Sequence, residues 1–200
     1  MVHHGYDAGA SDKSENRRIG APLPERYVLF LSTLQPRKNL EGLITAFRQL
    51  KAEHPELPHK LVVVGKPGWK YQAILRKIEQ NRDIVNYLDY VTDADRWEIL
   101  LRAEILVLPS FYEGFGMQIL EAFAANVPVA TSKFSSMPEV AGQAAIYFDP
   151  YNLAEIKNAI KSVLLDKSLA DNLRLKGKER LKDFSWEKCA KETLEVLSKI

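Results

Sequence analysis

Cysteine and histidine are scarce in this 200-residue sequence. Cys189 is the only cysteine, so no disulfide can form within the chain. A lone thiol and the lack of a signal peptide are typical of a protein in a reducing cytosol. The four histidines stand at positions 3, 4, 54 and 59 and show none of the spacings of a structural zinc site. We therefore expect a cytoplasmic protein without a bound metal.

The sequence also lacks a long apolar run and a strong excess of one charge. The apolar segment 105–108 is far shorter than the ~20 residues needed to cross a bilayer. The 28 Lys and Arg against 26 Asp and Glu leave a net charge of +2, too small for a general nucleic-acid or membrane-surface binder. With 46% hydrophobic and 27% charged residues, the composition is that of a globular domain.

The first 24 residues differ from the rest of the chain. They contain glycine, proline and many polar residues, and they show no apolar periodicity. We interpret 1–24 as a tail or interdomain linker and 25–200 as the folded domain.

From residue 25 onward, apolar runs of strand length alternate with helical periodicity. The predicted strands are 27–31, 61–64, 85–88, 105–108, 127–130 and 144–148. One predicted helix begins at Leu40 and ends before Pro55, and the others are 69–81, 93–103, 117–125, 153–165, 169–181 and 186–200. Asn39 and Asp93 are predicted to cap two of these helices, and Ser135 or Ser136 a short helix after the fifth strand.

This alternation of strands and helices predicts the fold class. Continuously apolar strands separated by helices are typical of parallel sheets that are covered on both faces. We therefore expect a Rossmann-like, doubly wound α/β domain with about six parallel strands. Ligands bind such sheets beyond the carboxyl ends of the strands, so the residues after each strand are the candidates for a site.

Two cations follow the first predicted strand. Arg37 and Lys38 stand just before a helix, where they could neutralise a diphosphate together with the helix N-terminus. The alternative interpretation is a solvated pair in a surface loop. After the second strand, Gly65 either lets the backbone approach a ligand closely or forms a plain turn.

Two carboxylates follow the fourth predicted strand. Glu113 and Glu121 are eight residues apart, and Gly114 and Gly116 free the backbone between them. Glu121, in the predicted helix, leans back toward the helix N-terminus. Carboxylates suit the vicinal hydroxyls of a sugar, so together with the cations they point to a nucleotide-sugar. The alternative is that Glu121 solvates its helix and that Glu113 lies in an exposed loop.

The same stretch carries a family resemblance. Residues 113–121 (EGFGMQILE) resemble the E-x7-E motif of retaining GT-B glycosyltransferases, and the chain from about Tyr27 is similar to the C-terminal, donor-binding domain of family 4, the glycosyl transferases group 1. Further matching pieces follow in chain order: 33–39 (TLQPRKN), 65–66 (GK), 90–93 (YVTD), 108–110 (LPS), 127–129 (VPV), 138–142 (PEVAG) and 184–187 (FSWE).

The resemblance implies roles for the matching residues. Glu113 would bind hydroxyls of the donor sugar, while Arg37 and Lys38 would hold the diphosphate and assist its departure, so these three are the implied catalytic residues. Glu121 would hold the ribose hydroxyls. The other implied donor-binding residues are Thr33, Gly65, Val91, Thr92, Phe115, Gly116 and Met117, with Val91 and Thr92 at the base. Cationic side chains and a helix dipole replace a metal ion in such sites.

The resemblance also implies the reaction class. It indicates transfer of a hexose, with mannose favoured, from a nucleotide-diphosphate sugar to a saccharide or lipid-linked acceptor with retention at the anomeric carbon. GDP-mannose is the favoured donor and a UDP-sugar the second choice. The sequence leaves open a double displacement on a carboxylate and a front-face reaction in which the donor phosphate assists acceptor deprotonation. The alternative function is a non-catalytic nucleotide-binding or interaction module of the same fold.

Departures at two places in the sequence, and one missing domain, distinguish this chain from the family pattern. Ser32 and Thr33 stand where many relatives have Gly-Arg, and Asp89 stands where many have Gly. GT-B enzymes also have an N-terminal acceptor domain, which these residues do not contain. We therefore expect little or no transfer by this chain alone. In the full-length protein, association with the inner face of the membrane is compatible with the pattern.

Overall fold

The computed structural model describes residues 3–6 and 22–199, which contain a parallel six-stranded sheet in the order β3-β2-β1-β4-β5-β6. The strands are β1 Tyr27–Leu31, β2 Lys60–Val64, β3 Val85–Leu88, β4 Ile105–Leu108, β5 Val129–Ser132 and β6 Ala145–Phe148. The predicted doubly wound α/β fold is confirmed.

Helices cover both faces of this sheet. They are α1 Leu40–Glu53, α2 Gln72–Glu79, α3 Asp93–Leu101, α4 Met117–Ala124, α5 Met137–Ala141, α6 Leu153–Leu165, α7 Lys167–Leu181 and α8 Trp186–Leu197. A single 3₁₀ turn, Pro36–Lys38, precedes α1. None of the helices in the described ranges is long and apolar enough to cross a membrane.

Strand β1 shows why its residues form a buried strand. Val28 and Phe30 belong to the hydrophobic core on one face, with Phe47 of α1. Leu29 belongs to the core on the other face, with Ile119 of α4. Side chains alternate between the two faces of a strand, so a strand in the middle of a covered sheet must be apolar at every position.

The fifth strand begins later than predicted. The sequence indicates 127–130, but β5 is Val129–Ser132, because the Val127 N–H bonds to the Ala122 carbonyl and Pro128 has no N–H. Its last residues, Thr131 and Ser132, are polar yet fully buried. The apolar pattern ends at Ala130, whereas the strand continues to Ser132, so the pattern does not show where β5 ends.

Some predicted helix ends and caps are also wrong. Helix α2 begins at Gln72 rather than 69, since Lys70 adopts a left-handed φ of 51° that a helix cannot include. Thr92, not Asp93, caps α3 by accepting a hydrogen bond from the Asp95 N–H at 3.1 Å. Helix α7 begins two residues earlier than 169, and α8 ends at Leu197; the predicted end at Ile200 lies outside the described residues.

Asn39 does not cap α1 with its side chain as predicted. It is left-handed, with φ 53°, and makes no side-chain cap bond. Its amide instead donates to the Pro150 carbonyl at 2.7 Å, on the loop after β6. Asn39 therefore ties the start of α1 to the far side of the sheet.

The predicted linker 1–24 lies mostly outside the described residues. Its described parts contact the domain: His3 Nε2 is 2.7 Å from Glu139 Oε1, and the Tyr6 N–H donates to the Phe184 carbonyl. The Pro22 carbonyl accepts from the Asn86 amide at 3.0 Å. These contacts place both described pieces of the linker against the folded domain.

Candidate functional site

The central strands β1 and β4 are neighbours, although the chain forms β2 and β3 between them. The loops after these two strands meet beyond their carboxyl ends, where the Phe111 N–H donates to the Arg37 carbonyl at 2.8 Å. This is the point at which the strand order reverses, and doubly wound sheets bind their ligands there.

A charged cluster lies at this reversal point. We call it the Glu113 cluster, and it consists of Glu113, Lys38, Arg37 and Ser110. Glu113 Oε1 lies 2.5 Å from the Lys38 ammonium and accepts from the Ser110 hydroxyl at 2.7 Å. Its Oε2 accepts from Arg37 Nη1 at 3.1 Å. The structure thus brings the three predicted catalytic residues into one contact.

Burial distinguishes the two cations of the Glu113 cluster. The Lys38 side chain is 5% exposed and that of Glu113 7%, whereas that of Arg37 is 37% exposed. Burial lowers the pKa of the Lys38 ammonium, and the Glu113 carboxylate offsets part of that effect. Neither a solvated Arg37–Lys38 pair nor an exposed Glu113 describes this arrangement. Arg37 is therefore the more exposed of the two cations.

Two serines hold the backbone of the Glu113 loop. Ser135 Oγ donates to the Glu113 carbonyl at 2.6 Å and accepts from the Glu113 N–H at 3.2 Å. Ser136 Oγ bonds to the carbonyls of Glu113 and Phe115 at 3.0 and 2.9 Å. The sequence predicts one of these hydroxyls as a cap of α5, but neither makes a side-chain cap bond. They fix the loop that carries Glu113 instead.

A cavity of about 300 Å³ opens beyond the ends of β1, β2 and β3. Of the predicted donor-binding residues, Thr33, Gly65 and Val91 line it, whereas Glu121, Phe115, Gly116 and Met117 do not. Thr92 does not line it either, and caps α3. The remaining lining residues are Leu31, Ser32, Val64, Lys66, Asp89, Tyr90, Arg96 and Gln118. Both departures from the family pattern, at 32–33 and at 89, therefore lie in the wall of the cavity.

Glu121 reaches the cavity through Arg96. The Arg96 guanidinium pairs with the Glu121 carboxylate, whose side chain is 17% exposed, and Arg96 lines the cavity. Glu121 thus has a specific partner and does not merely solvate its helix. Sequence reasoning missed Arg96, because nothing in the local pattern shows that α3 faces α4 at this point.

Helix α4 begins soon after Glu113, and Gln118 in its first turn lines the cavity. Gly116 precedes the helix with a φ of 98°, a left-handed conformation that favours glycine. The Phe115 ring packs on Phe184, with centroids 6.1 Å apart, and Met117 is the first helical residue. Helix N-termini present unpaired N–H groups and a partial positive charge, which suits an anion.

Gly65 lets two backbone segments in the cavity wall, those at residues 32 and 65, approach each other closely. A Cβ at this position would lie 1.9 Å from the Ser32 carbonyl oxygen, so only glycine fits. Lys66, the next residue, holds its ammonium 4.3 Å from the centre of the Tyr90 ring.

Across 3–6 and 22–199, no group of three or more His, Cys, Asp or Glu side chains is arranged to hold a metal ion.

The sequence matches a known protein family. Residues 11–180 match the model of the family described as glycosyl transferases group 1. The chain is 36% identical over 170 residues to an O-antigen chain mannosyltransferase B of Escherichia coli, covering 84% of this chain and 44% of that protein. It is 29% identical over 182 residues to the serotype-specific mannosyltransferase WbdA of Escherichia coli, covering 89% of this chain and 22% of that protein.

A solved structure shares the architecture. The sucrose-phosphate synthase of Thermosynechococcus elongatus superposes with a TM-score of 0.74 at 25% sequence identity, covering 90% of this chain and 46% of that one. The chain therefore spans less than half the length of each of these three proteins.

Proposed function

The chain belongs to the glycosyl transferases group 1 family, and on that premise we propose that it is the donor-binding domain of a retaining hexosyltransferase. The proposed reaction moves mannose from a nucleotide-diphosphate sugar, with GDP-mannose favoured over a UDP-sugar, to a saccharide or lipid-linked acceptor. The mannosyltransferase names of two relatives support the choice of sugar. The proposal includes a cytoplasmic location.

One observation carries the proposal. The Glu113 cluster and the cavity both lie beyond the carboxyl ends of the parallel strands, the cluster at the reversal point between β1 and β4 and the cavity over β1, β2 and β3. In the proposed complex the nucleoside occupies the cavity, with its ribose near Glu121. Its diphosphate meets Arg37 and the N-terminus of α4, and its sugar meets Glu113.

The cluster suggests how the chemistry proceeds. Oε1 of Glu113 already accepts two hydrogen bonds and Oε2 one, which leaves one acceptor site on Oε2 for a sugar hydroxyl. The same bonds stabilise the negative charge of the carboxylate and make it a weaker nucleophile toward carbon. We therefore favour the front-face course. The bond between the anomeric carbon and the phosphate oxygen breaks, and the nucleoside diphosphate leaves with the electron pair. The acceptor oxygen bonds to the same face of that carbon, and its proton passes to the departing phosphate.

Cations stabilise the charge that develops on this leaving group. Arg37 is exposed and also holds the Tyr112 carbonyl at 2.8 Å, which fixes its guanidinium at the mouth of the site. Fixed positive groups aimed at a developing negative charge lower the barrier without reorganisation. Lys38 contributes indirectly, because its buried ammonium holds the Glu113 carboxylate in place.

The first experiment is calorimetric titration of the 200-residue chain with GDP, UDP, ADP and their mannose or glucose conjugates. We expect saturable binding with a preference for the guanine series. Glu121→Gln should weaken it about tenfold, since a hydrogen bond to a charged group contributes about 1.5–3 kcal/mol. Glu187→Gln, at an exposed position in the first turn of α8, is the matched control. A folded chain that binds none of these nucleotides would contradict the proposal.

The second experiment separates the donor domain from a complete enzyme and from a non-catalytic module. The proposal includes an acceptor domain outside these residues, so this chain should release little mannose from GDP-mannose in the presence of an acceptor. The full-length protein should transfer it. Efficient transfer by the 200-residue chain would refute the proposal that transfer requires an acceptor domain outside these residues. Nucleotide binding without transfer by the full-length protein would support the non-catalytic alternative.

A further inference from the structure

The wall of the cavity over β1, β2 and β3 contains a single carboxylate. Among the described residues that line this cavity, Asp89 is the only acid, and Lys66 and Arg96 are the basic residues. Asp89 follows directly after β3 and is exposed. A carboxylate repels a phosphate, so Asp89 does not suit the diphosphate of a donor. In a nucleoside that fills the cavity, it suits an uncharged part, which is either the base or the ribose.

The backbone around Asp89 is held by its neighbours. Strand β3 pairs with β2, and the Gly65 N–H donates to the Leu88 carbonyl at 3.1 Å, so the loops after these strands leave the sheet side by side. The Tyr87 hydroxyl joins the two strand ends by donating to the Gly65 carbonyl at 3.1 Å. After Asp89, Val91 packs on the hydrophobic core. A loop held in this way meets a ligand with little reorganisation.

The surroundings of the Asp89 carboxylate place it beside a cation-bearing loop. Burial and then the charge of Asp89 raise the pKa of Tyr87 to about 12, so the carboxylate lies close to the Tyr87 hydroxyl that bonds to Gly65. Lys66, the residue after Gly65, holds its ammonium 4.3 Å from the centre of the Tyr90 ring. An acid and a cation therefore follow neighbouring strands and line the same cavity.

The order of the strands decides between base and ribose. In the order β3-β2-β1-β4, the Glu113 cluster lies beyond β1 and β4, whereas Asp89 lies beyond β3. A nucleotide-sugar whose sugar meets Glu113 has its base at the opposite end, with the diphosphate and the ribose between them. The proposed complex places the ribose near Glu121. Asp89 is therefore positioned for the base.

Guanine is the base whose edge fits this wall. It presents two neighbouring donors, the N1–H and the 2-amino group, next to the O6 acceptor. A carboxylate accepts from both donors at once, and Lys66 supplies a donor of the kind that O6 accepts. Uracil has one N–H between two carbonyls, so a carboxylate that accepts from this N–H also faces a carbonyl oxygen. Adenine places a ring-nitrogen acceptor beside its amino group, with the same result.

We propose that Asp89 selects guanine in the donor nucleotide by accepting hydrogen bonds from N1–H and the 2-amino group. This inference rests on the proposed function and adds the residue that decides the base. The family resemblance assigns no role to position 89.

The test is calorimetric titration of the 200-residue chain and of Asp89→Asn with GDP, UDP, inosine diphosphate and xanthosine diphosphate. Inosine diphosphate lacks the 2-amino group and should bind the unchanged chain about tenfold more weakly than GDP. Xanthine has a carbonyl in place of that amino group, and an asparagine amide can accept from N1–H while donating to this carbonyl. Asp89→Asn should therefore bind xanthosine diphosphate more tightly than GDP, a reversal of the preference of the unchanged chain.

The ratio of the two affinities is the readout, because the loss of a negative charge strengthens the binding of every nucleotide alike. Asp93→Asn is the matched control, since Asp93 is an exposed carboxylate at the start of α3 and does not line the cavity. This variant should keep the preference for GDP. Urea denaturation verifies that each variant is folded.

The outcomes separate this inference from the proposed function. GDP binding by the unchanged chain, with the same ratio of GDP to xanthosine diphosphate affinity in Asp89→Asn, would overturn selection by Asp89 and leave the donor function standing. Tighter binding of UDP than of GDP by the unchanged chain would do the same. A folded chain that binds none of the four nucleotides would overturn both.

Discussion

The Lys38 ammonium and the Glu113 carboxylate lie 2.5 Å apart and are withdrawn from water, although 75 residues separate them in the sequence. This pair joins the 3₁₀ turn after β1 to the loop after β4. Removing one partner of a buried ion pair leaves the other charge uncompensated, which costs far more than removing both. The pair is therefore both a functional candidate and a structural requirement.

Lys38→Met should lower the free energy of unfolding by about 3 kcal/mol, because Glu113 stays buried with only Arg37 and Ser110 as partners. The double variant Lys38→Met, Glu113→Gln should recover about 1 kcal/mol or more of this loss. Urea denaturation measures both. Lys157→Met is the control: its partner Glu53 is half exposed and stays solvated when the lysine is removed, so a much smaller loss is expected. Equal losses at positions 38 and 157 would refute the argument.

Ser135→Ala should destabilise the domain by about 1–2 kcal/mol, because two hydrogen bonds to the Glu113 backbone are lost. Ser135 also has a left-handed φ of 59°, so Ser135→Gly should recover about 1 kcal/mol of that loss. Asn126→Gly, at a left-handed position with φ 57° outside the site, isolates the backbone effect and should be neutral or stabilising. A neutral Ser135→Ala variant would show that the serine does not hold the loop.

Gly65→Ala should cost about 3 kcal/mol or more, since its Cβ would overlap the Ser32 carbonyl and force β1 and β2 apart. Gly114→Ala is the matched comparison, because a Cβ there meets nothing within 4 Å. Thermal unfolding of the two variants measures the difference. Similar melting temperatures would mean that the wall of the cavity is more pliable than the close approach implies.

The stability of the domain should fall as the pH is lowered from 7 to 5. His59 is 1% exposed, and burial lowers its pKa below 6.5, with the Glu104 carboxylate offsetting part of the effect. The His59 Nε2–Glu104 Oε2 distance is 3.0 Å, but the approach is out of line for a hydrogen bond. Arg26 and Lys51 also face the ring and oppose its protonation. The unfolded chain therefore takes up this proton first, which favours unfolding.

His59→Gln should flatten that slope. Unfolding free energies measured by urea denaturation at pH 5, 6, 7 and 8 test this prediction. The pH dependences of the unchanged protein and of His59→Gln should be parallel above pH 7, where the imidazole is neutral in both the folded and the unfolded state. Burial raises the pKa of the Glu104 carboxyl, but the hydrogen bonds from Arg26 and the nearby His59 ring outweigh burial and lower this pKa, so the effect of Glu104 falls below this pH range. Parallel curves from pH 7 to 5 would show that His59 does not limit acid stability.

The fold class and most of its elements follow from the amino-acid sequence alone. Continuous apolar runs identify strands because a strand covered on both faces must be apolar at each position, and β1 and β4 fall where that pattern predicts. The largest difference is at β5, which ends in buried Thr131 and Ser132 and so extends beyond the apolar run. The ordered motifs also indicated the family.

The tertiary structure alone decided which residues meet. Local periodicity does not show that Lys38 pairs with Glu113, that Arg96 faces Glu121, or that Ser135 binds the Glu113 backbone. These contacts span 22 to 75 residues and exist only because the strand order places β1 beside β4 and β4 beside β5. Patterns along the chain report each element's own burial, whereas partners across the sheet edge depend on how the elements are arranged.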